Sequence, residues 1–225
     1  MLLADGPPPV PAVAVAVVAR GRSVRGRPLR LVRRGSRDAA RRVLVIGTMH
    51  GDEPGGRRVI ASLRRERAPR DTAIYTVADL NPDGSARRTR TNRRGVDLNR
   101  NFPGDWRRGA RGRFYPGPRA ASEPETRWAQ RVVRTVRPHA TVWLHQPYGI
   151  VNLTAGADRR IVRAYARRVR LPARTLPRYR GTAANWQNTT FTGTSAFVVE
   201  LAGGRPSDAI VRRHVRAILA LARDL

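Results

Sequence analysis

Short apolar runs without polar alternation are the feature that most constrains this chain. Four of them, at 42–48, 73–78, 140–144 and 195–201, are rich in β-branched residues and too short for typical helices. A strand that is apolar on both faces has to be covered on both faces, which is typical of a central, largely parallel sheet. The runs therefore predict strands buried in the middle of a sheet.

Helical segments lie between these runs. One helix is expected after Pro54, and Ser122-Glu-Pro-Glu125 has the spacing of a capping box before a helix that reaches about Val136. Two more are predicted at 158–169 and 206–225. Strands that alternate with helices predict an α/β fold, here a single domain with a mixed, largely parallel twisted sheet and helices on both faces.

The remaining segments are less regular. Residues 1–11 are predicted to be a disordered lead-in, and one domain is predicted over 12–225. Strand-like runs at 13–19 and 29–32 flank Gly26 and predict a hairpin. The stretch from 80 to 121 is dense in Gly, Pro, Asn and Arg with almost no periodicity, and loops of that length are usually functional.

Composition limits the function classes. All 45 basic residues are arginine against 16 acidic residues, a net charge of +29, and the absence of lysine is more typical of compositional drift in a GC-rich genome than of selection for polyanion binding. The charge still predicts non-specific nucleic-acid binding at low salt. Zero cysteines exclude disulfides, thiolate metal sites and a thiol nucleophile.

No apolar run reaches 18 residues, so no membrane span is predicted. The apolar segment at 11–18 lacks the preceding positive charges of a signal peptide. Cytoplasmic and secreted locations both stay open, and the oligomeric state is not predicted.

Three candidate metal ligands follow predicted strands. His50 and Glu53 follow the strand at 42–48, and His145 follows the strand at 140–144. The carboxyl ends of parallel strands meet at one edge of a sheet. Two imidazoles and one carboxylate form a ligand set of catalytic zinc, which leaves one position for water.

Glu200 is a carboxylate within an apolar strand, where burial is costly unless the group is paired or functional. Two interpretations stay open: an ion pair with an arginine, or a general base beside a metal. The other two histidines, His139 and His214, are predicted to be structural.

Several motifs occur in an order that carries a resemblance. The motifs are HGDE (50–53), NPDG (81–84), RxNxxGVDLNRNFP (90–103), GPRAxSEPET (117–126), a strand ending in His145, and FVVEL (197–201). With these motifs in this order, the chain resembles the zinc metallocarboxypeptidase family (carboxypeptidase A-like) from about Gly21 to Gly204. Its short length and HGDE form are most similar to the bacterial branch that includes murein tripeptide amidase.

The resemblance implies a zinc-dependent metallocarboxypeptidase that hydrolyses the C-terminal amide bond of a peptide, with a cell-wall peptide among the candidates. It implies one zinc per chain, bound by His50, Glu53 and His145, and a catalytic domain over 12–225. Glu200 would be the general base that takes a proton from the zinc-bound water and passes it to the leaving amine.

Three further residues receive roles from the same resemblance. Asp97 would hydrogen-bond a zinc-bound imidazole and fix its tautomer and orientation. Asn99 and Arg100 would bind the free carboxylate of the terminal residue, because a guanidinium fork suits that planar anion. Outside the motif, an asparagine and an aspartate here would be interpreted as turn and cap residues.

Other roles are less closely specified by the motifs. Arg90 would stabilise the oxyanion, with Arg87 as the candidate in a second alignment. Tyr179 is the nearest match to a mobile tyrosine that closes over substrate in larger members, although its spacing before Trp186 differs and a packing role stays open. The specificity pocket should involve residues 182–194. No charged residue in this segment indicates which substrate side chain is preferred.

One departure concerns the position beside the metal ligand. The larger digestive members have an arginine between the zinc-binding histidine and glutamate, whereas Asp52 precedes Glu53 here. The expected partner is a peptide with a free C-terminal carboxylate, with no specific nucleic acid and no membrane.

Two alternatives stay open. One is an aspartoacylase-like N-acyl amidohydrolase of small molecules, which shares the HxxE, DLNR and distant-histidine arrangement. The other is a non-catalytic basic protein that binds nucleic acid or an anionic wall polymer. The first is disfavoured by NPDG, SEPET and the strand with Glu200, and the second leaves the full set of candidate ligands and base unexplained.

Overall fold

Eight strands form one sheet in the computed structural model, which describes residues 15–225. The predicted lead-in at 1–11 and the first residues of the predicted hairpin lie outside this range. In chain order the strands are β1 (Ala16–Arg22), β2 (Pro28–Gly35), β3 (Arg41–Ile46), β4 (Thr72–Val77), β5 (Ala140–His145), β6 (Tyr148–Asn152), β7 (Ala173–Arg174) and β8 (Ser195–Ala202).

The sheet order is β1-β2-β4-β3-β5-β8-β6-β7. The four central strands β4, β3, β5 and β8 run parallel, whereas β1, β2 and β6 pair in antiparallel fashion. Every residue of β4 and β5 is buried. The predicted α/β class and the central position of the apolar runs are therefore confirmed.

Residues 15–225 contain six helices: α1 (Gly55–Leu63), α2 (Pro82–Arg87), α3 (Pro124–Val136), α4 (Arg159–Val169), α5 (Ala183–Thr190) and α6 (Asp208–Asp224). All of them except α2 pack on the two faces of the sheet. Alternate residues of β3 supply the two cores. Val43 and Val45 pack with α1, α4 and α6, and Leu44 and Ile46 pack with α3 and α5. Because β3 is buried on both faces, its sequence from Val43 to Ile46 is continuously apolar.

The structure departs from the sequence prediction in the long loop at 80–121. It contains α2 and a 3₁₀ turn at Leu98–Arg100, both begun by side-chain caps: Asn81 Oδ1 accepts from Gly84 N and Asp97 Oδ1 accepts from Asn99 N. These elements are too short to show periodicity. The strands β6 and β7 and the helix α5 were also not predicted, because short elements depend on partners distant in sequence.

A close backbone contact positions the loop after β3. A Cβ on Gly51 would lie 2.0 Å from the carbonyl carbon of Gly84, so the loop rests directly on the first turn of α2. Among residues 15–225, no helix is long and apolar enough to cross a bilayer.

Candidate active site

A cavity of about 280 Å³ opens at the carboxyl edge of the central strands. His50 and Glu53 follow β3, His145 ends β5, and Glu200 lies near the end of β8. Because β3, β5 and β8 are adjacent and parallel, these four side chains line the same cavity. The structure thus brings together the three predicted ligands and the predicted base.

The three candidate ligands form a compact buried group. His50 Nδ1 lies 2.8 Å from Glu53 Oε1, His145 Nδ1 lies 3.0 Å from Glu53 Oε2, and the two Nδ1 atoms are 3.2 Å apart. Zinc with ligands at about 2.0–2.1 Å in a tetrahedron has ligand–ligand edges of roughly 3.3 Å. The chemistry and spacing of this donor set fit a zinc ion, so the cluster could hold one.

Asp97 lies behind the first histidine. It is fully buried, and its Oδ1 is 3.0 Å from His50 Nε2. Burial alone would raise the pKa of Asp97, but His50, Arg90 and Arg100 outweigh it and hold the pKa well below its usual range. With Nε2 against Asp97, His50 faces Glu53 and His145 with its Nδ1.

Glu53 is held as a carboxylate. Burial opposes the charge, but hydrogen bonds from His145 and His50 keep the pKa of Glu53 below its ordinary value. The backbone N–H of Gln146 also donates to Glu53 Oε2 at 3.2 Å. This ionised state is the one that a metal ligand needs.

Gln146 is a positioning residue that sequence analysis missed. Its Oε1 accepts from Gly55 N at 2.8 Å, and its Nε2 donates to the carbonyl oxygens of Ala202 and Gly204, each at 2.8 Å. It thereby ties the start of α1 to the end of β8. Its position directly after the strand-ending histidine was the available signal.

Glu200 has no ion-pair partner within residues 15–225. Its side chain is 7 % exposed, and its Oε2 is buried without a hydrogen-bond donor in that range. Burial raises the pKa of Glu200 above its usual value. The ion-pair interpretation is therefore disfavoured, and Glu200 is a buried carboxylate in the same cavity as the three candidate ligands.

Arg100 and Asn99 lie on the same cavity wall. The Arg100 guanidinium carbon lies 4.4 Å from the ring centre of Tyr179 and 5.6 Å from that of Phe114, and Nη1 donates to the Asn99 carbonyl at 2.8 Å. Asn99 Oδ1 accepts from Ala183 N at 3.0 Å. Burial lowers the pKa of Arg100, which indicates that the guanidinium is poorly hydrated.

Only one of the two arginines considered for the oxyanion role lines the cavity. Arg90 donates from Nε to Asp97 Oδ2 at 2.9 Å and from Nη1 to Glu53 Oε1 at 3.2 Å. Arg87 is exposed at the end of α2 and does not line the cavity. The geometry therefore favours Arg90.

Two exposed aromatic side chains flank the entrance. Tyr179 is 45 % exposed and Phe114 is 56 % exposed, and both line the cavity. Phe114 was missed by sequence analysis, where the aromatic pair at 114–115 within a polar loop was the available signal.

The segment expected to form the specificity pocket does reach the cavity. Thr182, Ala184 and Asn185 line it, together with Asn152 at the end of β6 and Thr154 in the following loop. These side chains are neutral. Asp52, in contrast, is exposed and lies in a neighbouring surface depression rather than in this cavity.

The remaining histidines are placed elsewhere. His139 Nδ1 accepts from Arg42 N at 3.1 Å, and His214 Nδ1 lies 3.1 Å from the hydroxyl of Tyr165. Burial lowers the pKa of His214 to about 4, so the ring is neutral in the core.

Comparison with known proteins finds a matching family model and similar proteins of known name. A family model described as zinc carboxypeptidase matches residues 12–205. Murein peptide amidase A of Escherichia coli (strain K12) is 31 % identical over 145 residues, 59 % of this chain and 60 % of that protein. Carboxypeptidase SOL1 of Arabidopsis thaliana is 31 % identical over 143 residues, 56 % of this chain and 28 % of that protein. The chain thus spans less than two thirds of each relative.

Solved structures share the fold. The murein-tripeptide amidase from Escherichia coli O157 has a TM-score of 0.71 at 24 % identity, covering 90 % of this chain and 89 % of that one. Carboxypeptidase A from Helicoverpa armigera has a TM-score of 0.78 at 19 % identity, covering 94 % of this chain and 68 % of that one. The family match extends over most of the chain, and the chain belongs to the zinc carboxypeptidase family.

Proposed function

We propose that this chain is a zinc-dependent metallocarboxypeptidase that hydrolyses the amide bond before the C-terminal residue of a peptide. One observation supports the proposal: within residues 15–225, a buried His–Glu–His cluster shares a cavity with a buried carboxylate that has one oxygen without a hydrogen-bond donor, and with an arginine that has no carboxylate partner. The residues are His50, Glu53 and His145, then Glu200, then Arg100.

His50, Glu53 and His145 would hold the zinc, and Asp97 would keep His50 in the orientation that ligation needs. Bound zinc would polarise the scissile carbonyl and lower the pKa of water. Every donor in the set is buried, which limits competing solvent.

Glu200 would move the proton. Its Oε2 has no donor among residues 15–225, so it is free to accept a proton from the attacking water and to return it to the leaving amine. A pKa raised by burial brings the carboxyl closer to the range in which it can both accept and release a proton.

Arg100 and Asn99 would bind the terminal carboxylate of the substrate. The Arg100 guanidinium is half-buried and has no carboxylate of this chain within 4.0 Å among residues 15–225. Tyr179, stacked on Arg100, would cover the bound end of the peptide. Arg90 would stabilise the oxyanion through Nη2, because its Nε and Nη1 already contact Asp97 and Glu53.

Family membership implies a peptide substrate. The printed name of one relative, murein peptide amidase A, makes cell-wall peptides a specific candidate. The neutral lining around Thr154, Thr182 and Asn185 supports a terminal residue with a polar side chain.

A substrate panel tests the proposal. Peptides with a free C-terminus, their C-terminal amides and N-acyl amino acids would be assayed with and without a chelator. Chelator-sensitive cleavage of free-acid peptides alone is expected. Cleavage of N-acyl amino acids alone would indicate the amidohydrolase alternative, and binding of polyanions without any hydrolysis would indicate the non-catalytic one.

A further inference from the structure

A second cavity, which we call the arginine groove, lies at the amino end of β3, whereas His50 follows the carboxyl end of that strand. The groove has a volume of about 830 Å³ and runs between the β1–β2 edge of the sheet and the C-terminal half of α3. Six arginines line it: Arg20, Arg33, Arg37, Arg42, Arg131 and Arg137.

No acidic side chain among residues 15–225 neutralises the positive charge of the arginine groove. No aspartate or glutamate lines it, and none of its six guanidinium groups lies within 4.0 Å of a carboxylate of residues 15–225. Arginines elsewhere do have such partners, for example Arg27 with Asp83. Arg42 instead donates to the backbone carbonyls of Arg137 and Ala39. Like charges gathered in one concavity repel each other and attract an anion.

The side chain of Arg33 is a second indication that the groove binds an anion. It is half-buried on β2, and its Nε is shielded from solvent with no acceptor among residues 15–225. Leaving a buried charged donor without an acceptor costs more free energy than one hydrogen bond contributes to stability. An oxygen of an anionic ligand would satisfy it.

The residues before β1 offer little negative charge to pair with these arginines. Residues 1–14 contain one carboxylate, Asp5, against the six arginines of the groove. A second copy has a net charge of +29 and would be repelled. The occupant is therefore a different molecule that carries several negative charges.

The volume and the lining of the arginine groove limit the kinds of anionic molecule that can bind there. Its volume is within the roughly 300–1,000 Å³ of pockets that enclose small ligands, so it suits a single chain rather than a double helix. Its two aromatic residues, Tyr75 and Trp128, are 8 % and 2 % exposed and offer no platform for stacking bases. Aliphatic side chains also form part of the lining, and among them Val18 is 40 % exposed.

We infer that the arginine groove binds a single base-free chain of alcohols joined by phosphodiesters. Guanidinium forks match phosphate oxygens in pairs, and the aliphatic lining suits the carbon atoms between the phosphates. Such binding would hold the enzyme on an anionic polymer while the candidate active site stays open. The inference is independent of the proposed function.

The test uses a labelled glycerol phosphate oligomer and measures its dissociation constant at several salt concentrations. The groove variant carries Gln at the exposed positions Arg20, Arg37 and Arg131. The control variant carries Gln at Arg159, Arg163 and Arg167, three exposed arginines along α4, so both proteins lose the same charge. Thermal melting checks that both are folded.

The groove variant should bind the oligomer at least about tenfold more weakly. The slope of the logarithm of its association constant against the logarithm of salt concentration should become shallower by about two, because each of the three lost phosphate contacts contributes about 0.7 to that slope. The control should bind as the natural chain does, and both variants should hydrolyse peptides normally. Equal losses in both variants would overturn the inference. So would equal binding of polyglutamate of the same charge, or tighter binding of a single-stranded oligothymidylate of equal length.

Discussion

His145 and Glu200 occupy paired positions on the adjacent parallel strands β5 and β8. A candidate metal ligand and a carboxylate 55 positions apart in sequence are therefore held side by side by backbone hydrogen bonds rather than by a loop. Sites built on strands are more precisely fixed than sites built on loops, and this pair sets the spacing between the metal cluster and the proposed base.

Zinc binding should depend on His145. We expect about one zinc per chain in the natural protein and loss of most of it in His145→Ala, because two remaining ligands bind zinc weakly. Metal analysis of the purified proteins measures this. His139→Ala, which changes a histidine outside the cluster, should keep its zinc, and an unchanged content in His145→Ala would remove that residue from the site.

Glu200→Gln should keep the fold and the zinc but lose kcat by roughly 10²–10⁴-fold, the usual contribution of general acid–base catalysis. The amide has the same shape and cannot accept the proton. Glu66→Gln, at an exposed glutamate, serves as the control. Near-normal turnover in Glu200→Gln would place the base elsewhere.

Cleavage should require a free carboxylate on the substrate. Removing one partner of a buried ion pair costs about 3–5 kcal/mol, so a C-terminal amide should be cleaved with kcat/KM lower by roughly a hundred- to several-thousand-fold. Arg100→Lys should lose much of this discrimination, because lysine keeps the charge but not the fork. Comparable rates for the acid and the amide would contradict exopeptidase activity.

Stability should fall as the pH is lowered from about 6.5 to about 4, because the pKa of His214 in the folded protein is about 4 and its ordinary value is 6.5. The unfolded chain binds a proton over this interval and the folded chain does not, so the free energy of unfolding decreases by up to about 3 kcal/mol. His214→Gln should lose this component in urea titrations from pH 7 to 4. Identical pH slopes would contradict the assignment.

Gly51→Ala should destabilise the protein by about 1–3 kcal/mol, the usual cost of overpacking. The new Cβ would lie 2.0 Å from backbone of Gly84, and the loop that presents His50 would have to move. Zinc affinity should fall together with stability. Gly203→Ala, whose Cβ would have an ordinary 3.4 Å contact, is the matched control, and equal stability of both variants would show that the loop adapts freely.

The central strands could be predicted because the pattern that indicates them lies within each strand's own sequence. Residues of β4 and β5 are buried on both faces, so their apolar runs are continuous and visible without any partner. The helix α3 occurs where it was predicted, but the predicted capping box is wrong: Glu123 is the N-cap residue without a side-chain cap bond, and Ser122 Oγ donates to Glu123 Oε1 instead. The helix α4 begins at its predicted start, where Asp158 Oδ1 accepts from Arg160 N. The strands β6 and β7 and the helix α5 were not, since such short elements are stabilised by contacts from elsewhere in the chain.

The sequence by itself determined the α/β class, the three candidate metal ligands and the carboxylate on β8, because each follows or occupies a recognisable strand. Only the tertiary structure decided that Arg90 rather than Arg87 reaches the cavity, that Glu200 lacks an ion-pair partner among residues 15–225, and that six arginines converge on one groove. The physical reason is that burial and charge pairing depend on which distant segments the folded chain brings together, and one arginine among 45 carries no such mark in the sequence.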